Sequence, residues 1–459
     1  MRHFYFDHNA TSPVAPEVLR DVTDSMAANY GNASSIHHFG QAAKQRLESA
    51  RRTVAARLGC TDREIVFTSG GTEADNIAVF GVARRAVRTP RHVITSSIEH
   101  PAVLNACGQL EREGVEVTWL PVGSHGVVQP EDVRRALRPE TALISIMHAN
   151  NETGVLQPVA EIAAIAREAN VPFHCDGVQV GGRLPVSVRE LGVDLYSISG
   201  HKFGAPKGIG ALYVRKGVDL AALFYGGHHE RDRRAGTENV TGAGALAKAM
   251  ALNSDWSAFA ELRDRLERTV LERVPGTRVN GKVDCRMPNT SNIRFEGVEG
   301  EAMVIALDLR GYAVSSGSAC SSGAVEPSHV LLAMGLKPEG ARSSVRFSLG
   351  PGNTLEQIDE LIDAVERSLF SVGVVSCRID ADDNAFILHP SLLEIISRIQ
   401  FQSGLVALVA RIDESGTATA RLEGEKVTLD AADSARAIAQ VHQLLHSAGI
   451  FIASEKAGL

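Results

Sequence analysis

The sequence has none of the short-spaced cysteine pairs that hold a zinc ion or an iron–sulfur cluster. Its six cysteines stand at positions 60, 107, 175, 285, 320 and 377, and no two form a Cys-x-x-Cys. That spacing argues against a self-contained metal site, and in a reducing compartment most of these residues are expected to be small and buried. There is no membrane-length apolar run, and Met1-Arg2-His3-Phe4 passes straight into a polar segment without the apolar core of a signal peptide. These absences predict a cytoplasmic protein with no membrane contact. Positive charge is not in excess either: 47 Lys and Arg against 54 Asp and Glu leave a net charge of −7, which argues against direct nucleic-acid binding. What is plentiful is glycine, 42 of 459 residues, in a chain 44% hydrophobic and 22% charged. That is the composition of an ordinary globular, loop-rich α/β protein long enough for two or three domains.

One stretch concentrates reactive chemistry among small residues: Ser197-Ile198-Ser199-Gly200-His201-Lys202-Phe203-Gly204-Ala205-Pro206-Lys207-Gly208-Ile209-Gly210. Asp194-Leu195-Tyr196-Ser197-Ile198 ahead of it predicts a buried strand, and Ile209-Gly210-Ala211-Leu212-Tyr213-Val214 predicts the next. The turn between them, with Ser199 and His201 beside the lysine, lets backbone and hydroxyl groups approach a phosphate. The Lys202 amine is of the kind that forms a Schiff base with a carbonyl cofactor. Taken alone, the stretch reads equally well as a surface turn with two solvated lysines. The run Pro172-Phe173-His174-Cys175-Asp176-Gly177-Val178-Gln179 shifts that balance. A short apolar strand ends there in Asp176, an anion suited to keeping a pyridine nitrogen protonated so that the ring acts as an electron sink. Gln179 is placed to hydrogen-bond the ring oxygen. Two strand-end motifs in this order point to pyridoxal phosphate (PLP).

With these motifs the chain resembles the cysteine desulfurases of the class V aminotransferase group, in the NifS/IscS-like branch that supplies sulfur for iron–sulfur clusters and tRNA thiolation. The resemblance runs through separate motifs from Tyr5 to about Phe370 and stops before the C-terminal tail. It implies an α/β fold of the PLP-dependent transferase type I: a large domain on a mainly parallel mixed sheet and a smaller α+β domain, assembled as a homodimer. The expected divisions are an N-terminal arm over 1–15, a large PLP-binding domain over 16–255, a small domain carrying a cysteine loop over 256–372, and an additional α+β segment over 375–459.

Other motifs take their places along this frame. Phe4-Tyr5-Phe6-Asp7-His8-Asn9 is an aromatic strand breaking into a polar turn, and residues 42–58 have helical periodicity with Gly59 as the stop. Glu64-Ile65-Val66-Phe67 reads as a strand running into Thr68-Ser69-Gly70-Gly71-Thr72, where a glycine turn opens a helix; Gly71 and Thr72 form the expected phosphate cradle. In Ser97-Ile98-Glu99-His100-Pro101, the resemblance gives His100 the role of stacking on the PLP ring and moving protons. The continuous apolar strand 141–147 ends in His148-Ala149-Asn150-Asn151, with Asn151 placed to contact the cofactor or the bound amino acid. The basic, glycine-rich run from Gly226 to Thr237 reads as a loop, and the resemblance has Thr237 reach the cofactor phosphate of the neighbouring subunit. It also has Arg346, on a predicted strand, pair with the substrate carboxylate, a task that suits a planar guanidinium.

Ser315-Ser316-Gly317-Ser318-Ala319-Cys320-Ser321-Ser322-Gly323-Ala324 has almost no bulky side chain and cannot build a core. Its single cysteine reads as a nucleophile on a flexible arm, and the Val325-Glu326-Pro327-Ser328-His329 that follows matches the long-loop branch. The resemblance therefore implies conversion of L-cysteine to L-alanine, with Lys202 moving the Cα proton. It further implies a persulfide on Cys320, passed to an acceptor protein such as a cluster scaffold or a tRNA-thiolation enzyme. Cys320 as a transient iron–sulfur ligand stays open. A selenocysteine lyase or another PLP lyase is the alternative enzyme. A non-catalytic scaffold partner is the alternative outside catalysis, and the joint presence of Lys202 and Cys320 argues against it. The tail has no recognisable site; its pattern suggests helices over 391–400 and 432–445 and a hairpin of 405–412 with 417–422.

Overall fold

The computed structural model describes residues 2–86, 91–252, 255–316 and 326–371, together with five backbone strands beyond them. In chain order the strands of the first 371 residues are β1 (Phe4–Tyr5), β2 (Ile65–Thr68), β3 (His92–Ser96), β4 (Glu116–Leu120), β5 (Thr141–Ser145), β6 (Phe173–Asp176), β7 (Leu195–Ser199), β8 (Gly210–Val214), β9 (Thr277–Val279), β10 (Thr290–Phe295), β11 (Tyr312–Ala313) and β12 (Ser344–Ser348). Seven of them form one sheet in the order β2-β8-β7-β6-β5-β3-β4. Only β8 runs against its neighbours.

Apart from its edge strand β4, this sheet is buried on both faces, as expected of a mainly parallel sheet covered by helices. Adjacent residues enter opposite cores. Val66, Val93, Leu143, Leu195 and Leu212 pack with the helices Gly71–Arg85 and Pro101–Arg112. Their neighbours Ile65, Ile94, Ile144, Tyr196 and Tyr213 pack on the other side, with Leu47, Ile162 and Leu246. The helix expected over 42–58 begins earlier, at His38, because the His37 ring caps it by accepting the Gly40 N–H at 3.3 Å; it stops at Gly59 (φ 69°) as expected.

A second, antiparallel sheet, β12-β10-β9, has its own core with Leu266, Ile293, Met303, Val345, Phe347 and Leu361. The arm joins this unit and not the large sheet: β1 pairs in parallel with β11, Phe6 is buried in the same core, and Asp7 bridges to Ser348.

In the tail, Val409–Ile412 pairs antiparallel with Ala418–Leu422, within the hairpin expected there. A third strand, Glu425–Leu429, extends it, and Cys377–Asp380 pairs with Ala385–Leu388. Charged residues, Arg378 and Asp380 in Cys377–Asp380 and Glu425 and Lys426 in Glu425–Leu429, hide these strands from a hydrophobic pattern. The helices expected over 391–400 and 432–445 lie outside the described residues.

Candidate active site

Because β8 is the one reversed strand, β2, β3, β5, β6 and β7 all end at the same edge of the sheet. That edge is where an open α/β sheet places its site. Each strand delivers a motif there: β2 leads into Gly70-Gly71, β3 into Glu99-His100, β5 into Asn150-Asn151, β6 ends in Asp176, and β7 ends in Ser199 and turns into Lys202.

Lys202 closes a single 3-10 turn, Gly200–Lys202. Its Nζ donates to the carbonyls of Asn9 at 2.7 Å and Ala10 at 2.9 Å, so the N-terminal arm seats the amine. Burial, then the Arg183 and Arg346 guanidinium groups, push the amine down to about 7, with Asp176 and Asp7 opposing. A neutral amine is the nucleophile toward a carbonyl. The rate at which the apo-protein forms its absorbing adduct with PLP is therefore expected to rise with pH, to be half-maximal near 7, and to level off above it. Stopped-flow absorbance measures this, and a half-point near the ordinary lysine value would contradict the assignment.

Asp176 accepts the Val178 N–H at 2.9 Å, and burial followed by the neighbouring Asp75 raises it to about 6. The turn after it needs glycine: a Cβ on Gly177 would lie 1.9 Å from the Tyr196 ring, and one on Gly71 would lie 2.6 Å from Val178 Cγ2. Gly71 therefore brings the helix start down onto the Asp176 turn, with Ser199 Cβ 3.5 Å from the same position. Thr72, in that first turn, is exposed. The main-chain N–H groups of Gly71, Thr72 and Glu73 precede the first intrahelical bond, Ala74 N–H to Gly70 O, and are available to an anion.

His100 caps the helix Pro101–Arg112, its Nδ1 accepting the Ala102 N–H at 3.1 Å. Burial and the Lys202 and His329 charges lower its pKa against Asp176, which raises it. The neutral ring so placed carries its proton on Nε2 and is a donor there. Arg346 is buried on β12, donating to Asp7 Oδ1 at 2.6 Å and to the Asn151 carbonyl at 3.0 Å. Asp7 thus holds a carboxylate on the guanidinium expected to bind one. Gln179 gives its Nε2 to the same Asn9 carbonyl that receives Lys202, at 3.1 Å. His201, half-buried, meets Thr11 Oγ1 at 3.2 Å, and burial with nearby cations lowers it to about 4. Thr237 is exposed on its loop. Cys320 lies outside the described residues. Its flanks are described, and both attach beside Arg346: Ser315 pairs with the Arg346 main chain, and Ser328 Oγ donates to buried Glu152 at 2.5 Å.

Several site residues are absent from the sequence reading. Arg183 is buried and donates to the carbonyls of His8 and Lys202, to Asn9 Oδ1 and to Gln179 Oε1, tying arm, turn and β6 together. Its one signal was its place four residues after Gln179. Behind Asp176 lies His174, bonded to Ser145 Oγ at 2.8 Å and Ser197 Oγ at 3.0 Å, with Asp75 Oδ1 at 3.5 Å. Asp75 and Glu99 are buried carboxylates raised by desolvation, and in the sequence each stands among polar neighbours, Thr72-Glu73-Ala74-Asp75-Asn76 and Ser96-Ser97-Ile98-Glu99-His100, with nothing local to mark it as buried.

This donor set fits PLP part by part: a helix-start cradle for a phosphate, a depressed lysine amine for a carbonyl, and a buried carboxylate for a ring nitrogen. Among the described residues no helix is long and apolar enough to cross a membrane, and no group of three or more His, Cys, Asp or Glu is arranged to hold a metal ion.

Comparison with known proteins agrees. The aminotransferase class-V family matches residues 4–361. A cysteine desulfurase IscS from Dictyoglomus turgidum is 46% identical over 380 residues, 82% of this chain and 96% of that protein. A cysteine desulfurase from Nostoc is 48% identical over 370 residues, 80% and 92% of the two chains. Among solved structures, a NifS-like protein superposes with a TM-score of 0.76 at 36% identity, covering 80% of this chain and all (100%) of its own. A protein described as SspA in complex with cysteine superposes with a TM-score of 0.69 at 37% identity, covering 76% and 99%. On these matches the chain belongs to the class-V aminotransferase family, among its cysteine desulfurases, a PLP-dependent group.

Proposed function

We propose that the chain converts L-cysteine to L-alanine and carries the released sulfur as a persulfide on Cys320 to an acceptor protein in the cytoplasm. The observation that supports this most is the Lys202 amine, depressed to about 7 and seated on the arm carbonyls beside Asp176. Bound PLP supplies an electron sink that lets the substrate Cα proton leave. The chain's own groups do the rest. The main-chain N–H groups at Gly71 and Thr72 hold the phosphate, and Asp176 keeps its negative charge at the ring nitrogen. Arg346 takes the substrate carboxylate by exchanging Asp7 for it, with Asn151 alongside. Lys202 Nζ removes the Cα proton and returns it. The Cys320 thiolate attacks the substrate sulfur, the new S–S bond forming as the substrate's Cβ–S bond breaks with its electron pair left on carbon, and His100 Nε2–H donates the proton that this carbon takes up.

The homodimer has physical support in apolar side chains left in solvent: Ile36 is 93% and Tyr225 89% exposed, and Tyr30 and Phe39 stack on each other at the surface. Tyr225 and Thr237 lie on the same exposed loop region, as a contact with a second copy requires.

The purified holoenzyme is expected to turn over L-cysteine with alanine and released sulfur formed one to one in the presence of a reductant. Alanine is followed by chromatography and sulfide by colorimetry. Turnover of selenocysteine with none of cysteine would replace this reading with the lyase alternative.

A further inference from the structure

The loop from Gly226 to Thr237 reads as basic and solvated, yet it carries a buried carboxylate. Arg51, from the helix His38–Leu58, takes both oxygens of Glu230, at 2.6 and 2.8 Å, and the Phe67 N–H on β2 donates to it at 2.9 Å. Arg51 also donates to the Ile65 carbonyl of β2 at 3.0 Å and lies over the Phe67 ring. Glu230, Arg231 and Asp232 in succession adopt left-handed backbone, with φ of 45°, 57° and 65°. Residues with side chains hold that conformation only where the surroundings enforce it. Farther along, Arg234 donates to Glu73 at 2.8 Å, and Glu73 accepts the Ser69 N–H at 2.9 Å. Ser69 and Glu73 bracket the Gly70-Gly71 cradle. The loop is therefore fastened at two points to the segment 65–73 that forms the phosphate site of its own chain.

We propose that Glu230 and Arg234 are positioning residues: they tie the loop to its own subunit's cradle and thereby present Thr237 to the cofactor phosphate of the partner subunit. The proposal rests on the homodimer and on Thr237 acting across it. Without the two ties, the cost of ordering an exposed glycine-rich loop falls on the phosphate contact itself, and the partner's cofactor is held less tightly. Glu230 is the stronger tie, because a buried Arg–carboxylate fork loses both hydrogen bonds and charge balance when one side is neutralised.

Heterodimers of two differently tagged full-length chains, isolated on both tags, test this. One subunit is wild type. The other carries Lys202→Ala, so only the wild-type subunit fixes PLP and shows its absorbance band. Glu230→Gln, or separately Arg234→Gln, is then added to the Lys202→Ala subunit, and the apo-heterodimer is titrated with PLP. Retention at the wild-type subunit's site is expected to weaken about tenfold with Glu230→Gln, the order of one charge-assisted hydrogen bond, and less with Arg234→Gln. Thr237→Ala in the same position is the benchmark. If Thr237→Ala weakens retention while both tie variants match the parent heterodimer, the positioning role is wrong and the reading of Thr237 stands. If Thr237→Ala itself changes nothing, that reading fails and the proposal with it. Should Glu230→Gln prevent assembly, Arg234→Gln alone decides, since that ion pair is partly solvated.

Discussion

Serine in place of Cys320 is expected to reduce sulfur transfer to background while the cofactor absorbance stays as in the wild type. A hydroxyl at neutral pH is a poor nucleophile toward a thiol sulfur, whereas a thiolate is an intrinsically strong one. Losing a catalytic nucleophile has cost on the order of 10⁶ in rate where it has been measured. The cofactor should be untouched, because its proposed contacts come from the helix start at Gly71 and Thr72, from His100, Asn151, Asp176, Gln179 and the Ser199–Lys202 turn, and from Thr237 across the dimer, none of which includes residue 320. Both flanks of the cysteine segment stay anchored in the variant too, Ser315 on the Arg346 main chain and Ser328 on Glu152. The measurement is alkylation of protein-bound persulfide followed by mass spectrometry, beside alanine release. Persulfide formed at normal yield by the serine variant would remove Cys320 from the mechanism.

Alanine at Lys202 is expected to be as severe for a different reason. The proton transfer at Cα loses its general base, worth about 10²–10⁴-fold, and PLP loses its covalent attachment. The variant should emerge from gel filtration largely without its absorbance band, yet with an unchanged fold, because the turn is held through main-chain atoms. The Lys202 carbonyl accepts from Ser12 Oγ and Arg183 Nε, each at 2.9 Å, and neither bond needs the side chain. An arginine variant separates charge from chemistry: it keeps a cation near Asp176 and cannot give up its proton. Substantial turnover by either variant would mean that another group moves the Cα proton.

How much of this was legible in the sequence follows from what each residue's partners are. Asp176, Lys202, Gly71 and Thr72 sit at the ends of strands that announce themselves by apolar runs, so their common edge follows from pattern and parallel topology alone. Arg346 was legible as a strand residue, but its present partner, Asp7, is 339 residues away. Arg183 draws on His8, Asn9, Gln179 and Lys202 at once, a convergence that no local spacing encodes. Glu230 was hidden in the opposite way. In a run with five cationic and imidazole neighbours it looks like one more solvated charge, and only Arg51, from a helix far upstream, makes it a buried group. The same holds for Asp75 and His174, whose polar character is visible and whose mutual contact is not.

The arm's pairing bears on how the protein comes into being. Phe4 and Tyr5 lie against Tyr312 and Ala313, and the Asn9 N–H donates to Ser348 Oγ at 3.0 Å. On a ribosome, therefore, the arm, made before the large sheet, waits for β11 and β12, made after it, while domains ordinarily settle in the order of their synthesis. Asn9 and Ala10 are also the acceptors of the Lys202 amine. The sheet and its lysine turn can form before β11 and β12 exist, and Arg183 and Gln179 already bind the arm there, but the arm that seats the amine is fully paired only once Ser348 has been made.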